Sequence, residues 1–296
     1  MQVITTVQEM LEKRASWAAA SNVGLVPTMG YLHEGHLALV RQARRENRFL
    51  AVSIFVNPTQ FSPQEDLERY PRDLPKDLRL LEDCGVDAVF VPSVAEMYPR
   101  GFATYVEPGG SLTSAVEGAS RPGHFRGVAT VVLKLLNIIQ PQRAYFGQKD
   151  AQQVAVIRQI VADLNLLVEL RVLPTIREPD GLAMSSRNAY LTATTSSASA
   201  RLYQALLAGQ QAFEQRQAAS PTGVIEAIQT VLELEPELKV DYIEVRDPET
   251  FLPLEQLQAP ALLLVAASLG TTRLIDNFLL RADGTWDRGS ILKSND

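Results

Sequence analysis

Short apolar runs alternate with amphipathic stretches along the first 176 residues of the chain. Runs rich in β-branched residues predict strands, and the stretches between them repeat their apolar residues at helical spacing. The predicted strands are residues 24–27, 50–56, 86–91, 143–146 and 168–173, and the predicted helices are residues 35–46, 75–84, 127–139 and 150–164. This alternation favours an α/β domain of nucleotide-binding type, with a mostly parallel sheet covered on both faces.

The pattern changes in the rest of the chain. A Ser/Thr/Ala-rich stretch at residues 192–200 predicts a loop that runs into a helix ending near Arg216, and Ser220 or Thr222 is a candidate cap for a second helix. The strands predicted after these helices are residues 240–246, 261–268 and 273–276. Helices followed by strands indicate a small α+β domain. We therefore predict three regions: an α/β domain at 1–176, a smaller α+β domain at 177–282, and a polar, mobile tail at 283–296.

Composition narrows the class of protein. Among the 296 residues, 46% are hydrophobic and 21% charged, which is typical of a globular protein with a sizeable core. The 28 basic and 34 acidic residues give a net charge of −6, which argues against a nucleic-acid partner. Cys84 is the single cysteine, so no internal disulfide can form, and the chain has no apolar run long enough for a membrane helix. The N-terminal residues lack the basic start of a signal peptide, so we expect a cytoplasmic protein without a membrane partner.

The first segment with candidate chemistry lies where a predicted strand gives way to a helix. Residues 26–36 read VPTMGYLHEGH. Backbone N–H groups at a helix start favour an anion such as phosphate, and Gly30 and Gly35 allow the backbone to approach a ligand closely. His33 and His36 lie on one helix face and add side-chain donors. Two alternatives stay open: a surface helix start with incidental histidines, and a zinc site, although no third ligand stands at metal-binding spacing.

Two further segments combine polar side chains with turn residues. In SIFVNPTQF, residues 53–61, Asn57 and Gln60 could hydrogen-bond a small polar substrate, or the segment could be an Asn-Pro turn. In RPGHFRG, residues 121–127, two arginines and a histidine could bind phosphate or carboxylate and close over a site. The same composition also suits a solvated turn.

The last two segments offer groups suited to a nucleotide. In FGQKDAQQ, residues 146–153, Lys149 suits phosphate, and Asp150 suits either a ribose hydroxyl or the N-cap of the following helix. In DGLAMSSRN, residues 180–188, two hydroxyls and a guanidinium provide donors for pyrophosphate.

Four of these five segments, all but RPGHFRG, directly follow a predicted strand. In open parallel sheets the carboxyl ends of the strands line one edge, where ligands bind. The side chains expected at this edge are the three histidines, Lys149, Arg121, Arg126, Arg177 and Arg187. Such a concentration of cations in an acidic protein favours a polyphosphate ligand.

Taken together, PTMGYLHEGH, SIFVNPTQF, ASRPGHFRGVATVV, FGQKDAQQ and DGLAMSSRN closely resemble the motifs of the pantoate–β-alanine ligase family, in the same order and over the chain to about Ala282. That family belongs to the nucleotidyltransferase superfamily of class I aminoacyl-tRNA synthetases. Residues 33–36 resemble its HIGH motif, and residues 184–188 resemble its KMSKS motif. The resemblance implies a Rossmann-like first domain with a lid-like second one. It also implies ATP-dependent condensation of pantoate with β-alanine to pantothenate, in coenzyme A biosynthesis, through pantoyl adenylate with release of pyrophosphate and AMP.

The resemblance also implies roles for individual residues. The implied ATP-binding residues are Met29, Gly30, Tyr31, Leu32, His33, Glu34, Gly35, His36, Gly147, Gln148, Lys149, Asp150, Ile176, Met184, Ser185, Ser186 and Arg187. Among them, the implied catalytic residues are His33, His36, Lys149 and Arg187. Ile176 would offer its backbone to adenine. The implied pantoate-binding residues are Asn57, Gln60 and Gln153, with Asn57 in a supporting role and Gln60 also near β-alanine.

Two positions depart from the pattern of many relatives. Mg²⁺ is expected with ATP, and Asp77 matches an acidic position near the metal, but its neighbour is Lys76 where some relatives have another acid. A protein ligand for the metal is therefore open to question. Gln148 stands where many relatives have Glu, and we expect little consequence.

Three other functions compete with a ligase. An adenylyltransferase would leave the nucleotide in its product. A class I tRNA synthetase is disfavoured by the net negative charge and by the small second domain. A nucleotide-binding regulator without catalysis is disfavoured because the histidines, Lys149 and Arg187 are all present. Family members are usually homodimers, so the resemblance implies a homodimer here as well.

Overall fold

The computed structural model describes residues 1–17, 22–63, 65–192, 198–215 and 220–292. Their contacts define two compact units that interleave along the chain. The first unit comprises Met1–Thr113, Arg121–Gly147 and Val156–Leu173, and the second comprises Ser114–Ser120, Gln148–Ala155 and the described residues from Pro174 onward. The domain boundaries at residues 176 and 282 stay predictions. Much of the predicted loop at 192–200, and the helix end at Arg216, lie outside the described residues.

A six-stranded sheet forms the centre of the first unit. Its strands are β1 (Gln2–Ile4), β2 (Val23–Thr28), β3 (Phe49–Ile54), β4 (Ala88–Phe90), β5 (Arg143–Gly147) and β6 (Glu169–Leu173). They are ordered β1-β4-β3-β2-β5-β6, and every pair is parallel. The predicted parallel sheet is therefore confirmed, and β1 is an additional edge strand that the sequence pattern did not indicate.

In the part of the chain that the structure describes, eight helices lie between these strands. They are α1 (Val7–Ser16), α2 (Glu34–Glu46), α3 (Leu74–Asp83), α4 (Val94–Met97), α5 (Ser111–Ser114), α6 (Glu117–Ser120), α7 (His124–Ile139) and α8 (Ala151–Asp163). Four of them, α2, α3, α7 and α8, are those that the apolar spacing predicts. α7 is apolar on most of its surface because most of its residues are buried. Within the described residues, none of the helices combines the length and the apolar composition needed to cross a bilayer.

The order of the strands fixes where a ligand can bind to the first unit. The chain adds β3 and β4 on one side of β2, and β5 and β6 on the other. β2 and β5 are neighbours, so the sheet has a topological switch point between them. In open α/β sheets, ligands bind in the crevice beyond the carboxyl ends of the strands at such a point. β2 ends at Thr28, just before Met29–His36, and β5 ends at Gly147, just before Lys149.

The second unit contains an antiparallel sheet and two long helices. Its elements, in chain order, are β7 (Ile176–Arg177), α9 (Arg201–Glu214), α10 (Pro221–Leu232), β8 (Leu238–Arg246), β9 (Ala261–Leu269), β10 (Thr272–Leu280), β11 (Trp286–Asp287) and β12 (Ser290–Ile291). The sheet is ordered β11-β10-β9-β8, and side chains of α9 and α10 share its core. β9 is buried along almost its whole length, which explains the apolar run at residues 261–267. The α+β prediction is confirmed.

The prediction of a mobile tail beyond Ala282 is wrong for the described residues. β11 pairs with β10, and β12 pairs in parallel with β7. Ser290 N–H donates to Thr175 O at 2.7 Å, and Leu292 N–H donates to Arg177 O at 2.9 Å. These are main-chain bonds, so the polar side chains that suggested mobility give no sign of them.

Candidate active site

A tight turn joins β2 to α2 and carries the first candidate motif. Gly30 and Tyr31 both adopt left-handed backbone conformations, with φ of 81° and 50°. A Cβ at residue 30 would lie 3.1 Å from the Asp77 carboxylate and 3.0 Å from Ile54, so glycine suits both the space and the conformation. For Tyr31 the left-handed conformation costs about 1 kcal/mol, which the surrounding contacts must offset.

Asp77, on α3, holds this turn. Its carboxylate oxygens accept the N–H groups of Tyr31 and Leu32, each at 2.7 Å, and the residue is only 1% exposed. Burial raises the pKa of the Asp77 carboxyl above its ordinary value, although the two N–H donors act in the opposite direction. The hydrogen bonds account for this buried carboxylate without a metal ion. Within the described residues, no three His, Cys, Asp or Glu side chains are grouped so that they could hold one.

The two histidines of the motif are oriented by the start of α2. The Nδ1 atom of His33 accepts Gly35 N–H at 3.1 Å, and the Nδ1 atom of His36 accepts His33 N–H at 3.4 Å. The two rings lie against each other with centroids 4.1 Å apart. In a neutral imidazole whose Nδ1 accepts, the proton is on Nε2. Both histidines can therefore donate through Nε2 beside the positive end of the helix dipole.

Asn57 and Gln60 lie together in a turn that follows β3. Asn57 is fully buried, and its Nδ2 donates to Gln60 Oε1 at 3.0 Å and to Gly127 O at 3.2 Å. Its Oδ1 accepts the Tyr98 hydroxyl at 2.8 Å. These bonds fix the Gln60 amide with its Nε2 group turned the other way, 3.3 Å from Met29 Sδ. Asn57 thus supports Gln60, and the Nε2 group of Gln60 is the donor that the turn presents.

The segment RPGHFRG packs against the same turn. α7 begins at His124, whose Nδ1 donates to Gln60 O at 2.9 Å, while Arg121 donates to His124 Nε2 at 3.2 Å. Arg121 also forms a two-point ion pair with Glu65, at 2.9 and 2.8 Å. A Cβ at Gly127 would collide with Thr59 O, so only glycine allows this close approach. The structure therefore gives the segment a role in holding Gln60.

In the second unit, Lys149 lies in a short 3₁₀ turn, Gln148–Asp150, that leads into α8. The Lys149 side chain is 19% exposed, and its Nζ is 3.9 Å from Asp150 Oδ1. Gln153 is partly buried on the first turn of α8. The sequence prediction of Lys149 and Asp150 at a strand-to-helix connection is confirmed.

The DGLAMSSRN segment also lies in the second unit. Ile176 O accepts Met184 N–H at 2.9 Å, which joins the start and the end of a short loop. Ser185 caps the 3₁₀ turn Ser186–Tyr190, and its hydroxyl accepts Arg187 N–H at 3.2 Å. Ser186 is buried, whereas Met184, Ser185 and Arg187 are partly exposed.

Arg177 was expected among the phosphate-binding cations, and the structure contradicts this. The side chain is fully buried and forms a two-point ion pair with Asp276, at 2.6 and 2.8 Å. It also donates to Gly181 O at 3.0 Å, and its guanidinium lies 4.7 Å from the centre of the Tyr203 ring. Arg177 is a structural residue. No local sequence signal marks its partner Asp276, because the two lie 99 positions apart.

Comparisons with known proteins give matches over almost the whole chain. The model of the family described as "Pantoate-beta-alanine ligase" matches residues 2–279. A pantothenate synthetase of Roseiflexus castenholzii is 55% identical over 282 residues, which are 95% of this chain and 100% of the relative. One from Chloroflexus aurantiacus is 55% identical over 288 residues, which are 96% of this chain and 100% of the relative.

Solved structures are similar over almost the whole chain. The crystal structure of pantothenate synthetase from Thermus thermophilus has a TM-score of 0.89 at 52% identity, covering 94% of this chain and 98% of its own. The pantoate-beta-alanine ligase of Francisella tularensis, complexed with "Beta-gamma ATP" and β-alanine, has a TM-score of 0.78 at 37% identity. In that case the match covers 94% of this chain and 97% of the other.

Proposed function

Because the chain belongs to the pantoate–β-alanine ligase family, we propose that it joins pantoate to β-alanine, converting ATP to AMP and pyrophosphate. The observation that carries the proposal is the family match over residues 2–279, which contains all five candidate motifs. The "Beta-gamma ATP" and β-alanine named for the Francisella tularensis enzyme support the choice of substrates.

In the first step a carboxylate oxygen of pantoate attacks the α-phosphorus of ATP. The bond from that phosphorus to its bridging oxygen breaks, pyrophosphate leaves, and pantoyl adenylate remains. Such a displacement needs positioning and donors around the phosphates more than it needs a nucleophilic side chain. His33 and His36 would donate through Nε2, and Met29–Gly35 would place the start of α2 against the nucleotide.

The family resemblance implies further groups for ATP in the later motifs. Lys149 would pair with phosphate, Asp150 would accept from a ribose hydroxyl, and Gly147 and Gln148 would lie along the nucleotide. Ile176 would offer its backbone to adenine, and the residues that would contact the β- and γ-phosphates are Met184, Ser185, Ser186 and Arg187.

In the second step the amine of β-alanine attacks the acyl carbon of pantoyl adenylate. The acyl–phosphate bond breaks, AMP leaves, and the amide of pantothenate forms. Gln60 Nε2 is suited to hold a carboxylate or hydroxyl oxygen of pantoate, because Asn57 fixes the amide in that orientation. Gln153 would be the second pantoate contact, and Gln60 would also border the β-alanine position.

Mg²⁺ is expected to bind as a complex with ATP, in which it offsets the charge of the phosphates. Asp77 is the acidic position that the resemblance implies near the metal, and both of its oxygens accept backbone N–H groups, so we propose that it holds the turn and that the phosphates of ATP hold the metal. We therefore expect activity to be lost on chelation of Mg²⁺ and fully restored by adding it back. A homodimer and a cytoplasmic location also stay predictions, and sedimentation would test the first.

Product analysis tests the proposed function. The protein is incubated with ATP, Mg²⁺ and pantoate, with and without β-alanine. We expect pyrophosphate with pantoate alone, in an amount close to that of enzyme, and continuous release of AMP and pantothenate once β-alanine is added. A final product that retains the nucleotide would identify an adenylyltransferase. Binding of ATP without pantoate-dependent pyrophosphate would refute the substrate assignment.

A further inference from the structure

Asn277, in β10, is hydrogen-bonded to the segment that carries Lys149. Its side-chain Nδ2 donates to Gln148 O at 3.1 Å and to Lys149 O at 2.9 Å, and its Oδ1 accepts Gln148 Nε2 at 3.2 Å. The residue is 3% exposed, so these bonds form away from water. A buried carboxamide with both Nδ2 hydrogens donated is held in one orientation.

The two carbonyl groups that Asn277 binds belong to the peptide units on either side of the Lys149 Cα atom. The two dihedral angles at Lys149 relate these two planes. Holding both planes therefore fixes the direction in which the Lys149 side chain leaves the backbone. Both of these bonds are to main-chain oxygens, so the effect of Asn277 on the ammonium group passes through the main chain.

Asp276, the residue before Asn277, is linked through Arg177 to the other segment of this unit that is proposed to bind nucleotide. Asp276 receives the two-point ion pair from Arg177, and its Oδ1 also accepts the backbone N–H of Asn277 at 2.7 Å. Arg177 in turn donates to Gly181 O, three residues before Met184. Neighbouring residues of β10 thus hold both the Lys149 turn and the loop that leads to residues 184–187.

We propose that Asn277 is a positioning residue for adenylation, which acts by holding the backbone of Lys149 so that its ammonium group meets the phosphates of ATP. The proposal rests on the proposed function, in which Lys149 contacts phosphate. The proposal gives a residue of β10 a part in the reaction, although Asn277 lies 128 positions from Lys149 in the sequence.

The direct test is Asn277→Asp, which keeps the shape of the side chain but replaces the donating group with an oxygen. Two carbonyl groups then face a carboxylate, and the Lys149 turn must shift. With β-alanine present, so that the enzyme turns over, we expect kcat for pyrophosphate formation to fall about tenfold or more, while KM for pantoate changes less than about twofold. If the aspartate variant does not fold, Asn277→Ala removes both donors without adding a charge.

Asn47→Asp is the matched control. Asn47 is also buried, at 6% exposure, and donates to two oxygens, Ala43 O at 2.7 Å and the Tyr145 hydroxyl at 2.6 Å. It precedes β3 and therefore lies at the amino end of the sheet, away from the candidate motifs. We expect it to lower the melting temperature as Asn277→Asp does, with kcat within about twofold of the wild type. An equal loss of kcat in both variants would overturn the proposal.

A double-mutant cycle with Lys149→Ala separates positioning from a general structural effect. If Asn277 acts through Lys149, Asn277→Asp should lower kcat by less than about twofold further once Lys149 is alanine. The same fold loss in both backgrounds would overturn the positioning role while leaving the proposed function intact. A wild-type protein that forms no pyrophosphate with pantoate would refute the proposed function, and this inference with it.

Discussion

Two buried asparagine side chains, Asn57 in the first unit and Asn277 in the second, hold candidate substrate-binding groups in different ways. Asn57 binds the side-chain amide of Gln60, three residues away. Asn277 binds the main chain on both sides of Lys149, 128 and 129 residues away. The first anchor lies within one short motif and can be read from it. The second depends on the folding of distant segments, so a motif alone does not contain it.

The largest losses of activity are expected when a candidate phosphate-binding side chain is itself removed. We expect His36→Ala and Lys149→Ala each to raise the barrier to adenylation by about 3 kcal/mol, as for removal of a transition-state donor, while the fold is kept. Rates of pantoate-dependent pyrophosphate formation, with circular dichroism as the control for folding, measure this. Near-wild-type turnover in either variant would show that the residue concerned has no part in the phosphate chemistry.

Asp77 adds a third anchor to the comparison, a carboxylate that holds a strained turn. In Asp77→Asn one backbone N–H loses its acceptor, so the start of α2 should shift and kcat should fall about tenfold. Because Asp77 is not expected to bind the metal, the Mg²⁺ concentration for half-maximal activity should change by less than about twofold. A large increase in that concentration would show instead that Asp77 is a metal ligand.

Asn57→Asp tests the contrast between the two asparagines directly. The new carboxylate would face Gln60 Oε1 and Gly127 O, so the Gln60 amide should rotate and lose its orientation toward pantoate. We expect KM for pantoate to rise about tenfold with KM for ATP nearly unchanged, whereas Asn277→Asp should lower kcat and leave KM for pantoate within about twofold. Steady-state kinetics with each substrate varied in turn measures both. If the two variants gave one kinetic pattern, the distinction between the anchors would be lost.

The smallest effect on activity is expected at the amino end of the sheet. Burial, followed by a hydrogen bond to Glu46, raises the pKa of Tyr145 from 10.0 to about 12. The folded protein therefore binds this proton more tightly than the unfolded chain does, and the associated stability is present below pH 10 and lost as the pH rises toward about 12. Between these values, the free energy of unfolding should fall less in Tyr145→Phe than in the wild type, by up to about 2 kcal/mol.

Urea titrations of both proteins at several pH values measure this difference, and activity near neutral pH should be unchanged. Parallel curves for the two proteins would show that Tyr145 does not contribute to the alkaline loss of stability.

The sequence predicted the parts of the molecule whose signals are local. β2, α2 and β3 are long, regular elements with buried faces, and their motifs follow them directly. β10 shows where prediction from local patterns stops. The sequence predicted a strand at residues 273–276, whereas β10 runs from Thr272 to Leu280. The predicted strand stopped short of Asn277, a buried polar residue that, like Asp276, breaks the apolar run and makes sense only once its distant partners are known.

The candidate site was predictable to a similar extent. Residues in motifs, such as His36 and Gln60, could be proposed from the sequence because those motifs resemble the motifs of the family. Arg177 could not be interpreted correctly, because a charged side chain looks alike in the sequence whether it faces phosphate or a buried carboxylate. Asp77 raised the same difficulty, since the N–H groups that occupy its oxygens come from a turn 45 and 46 residues earlier.

The pairing of β12 with β7 has a practical consequence for work with this protein. The C-terminal stretch is bonded to the strand that contains Ile176 and Arg177, so it belongs to the frame of the second unit. A bulky tag or label placed there would disturb β7, the strand that is proposed to contact adenine. The same holds for a linkage to a surface. Labels intended to leave nucleotide binding undisturbed are better attached to exposed side chains far from this strand pair.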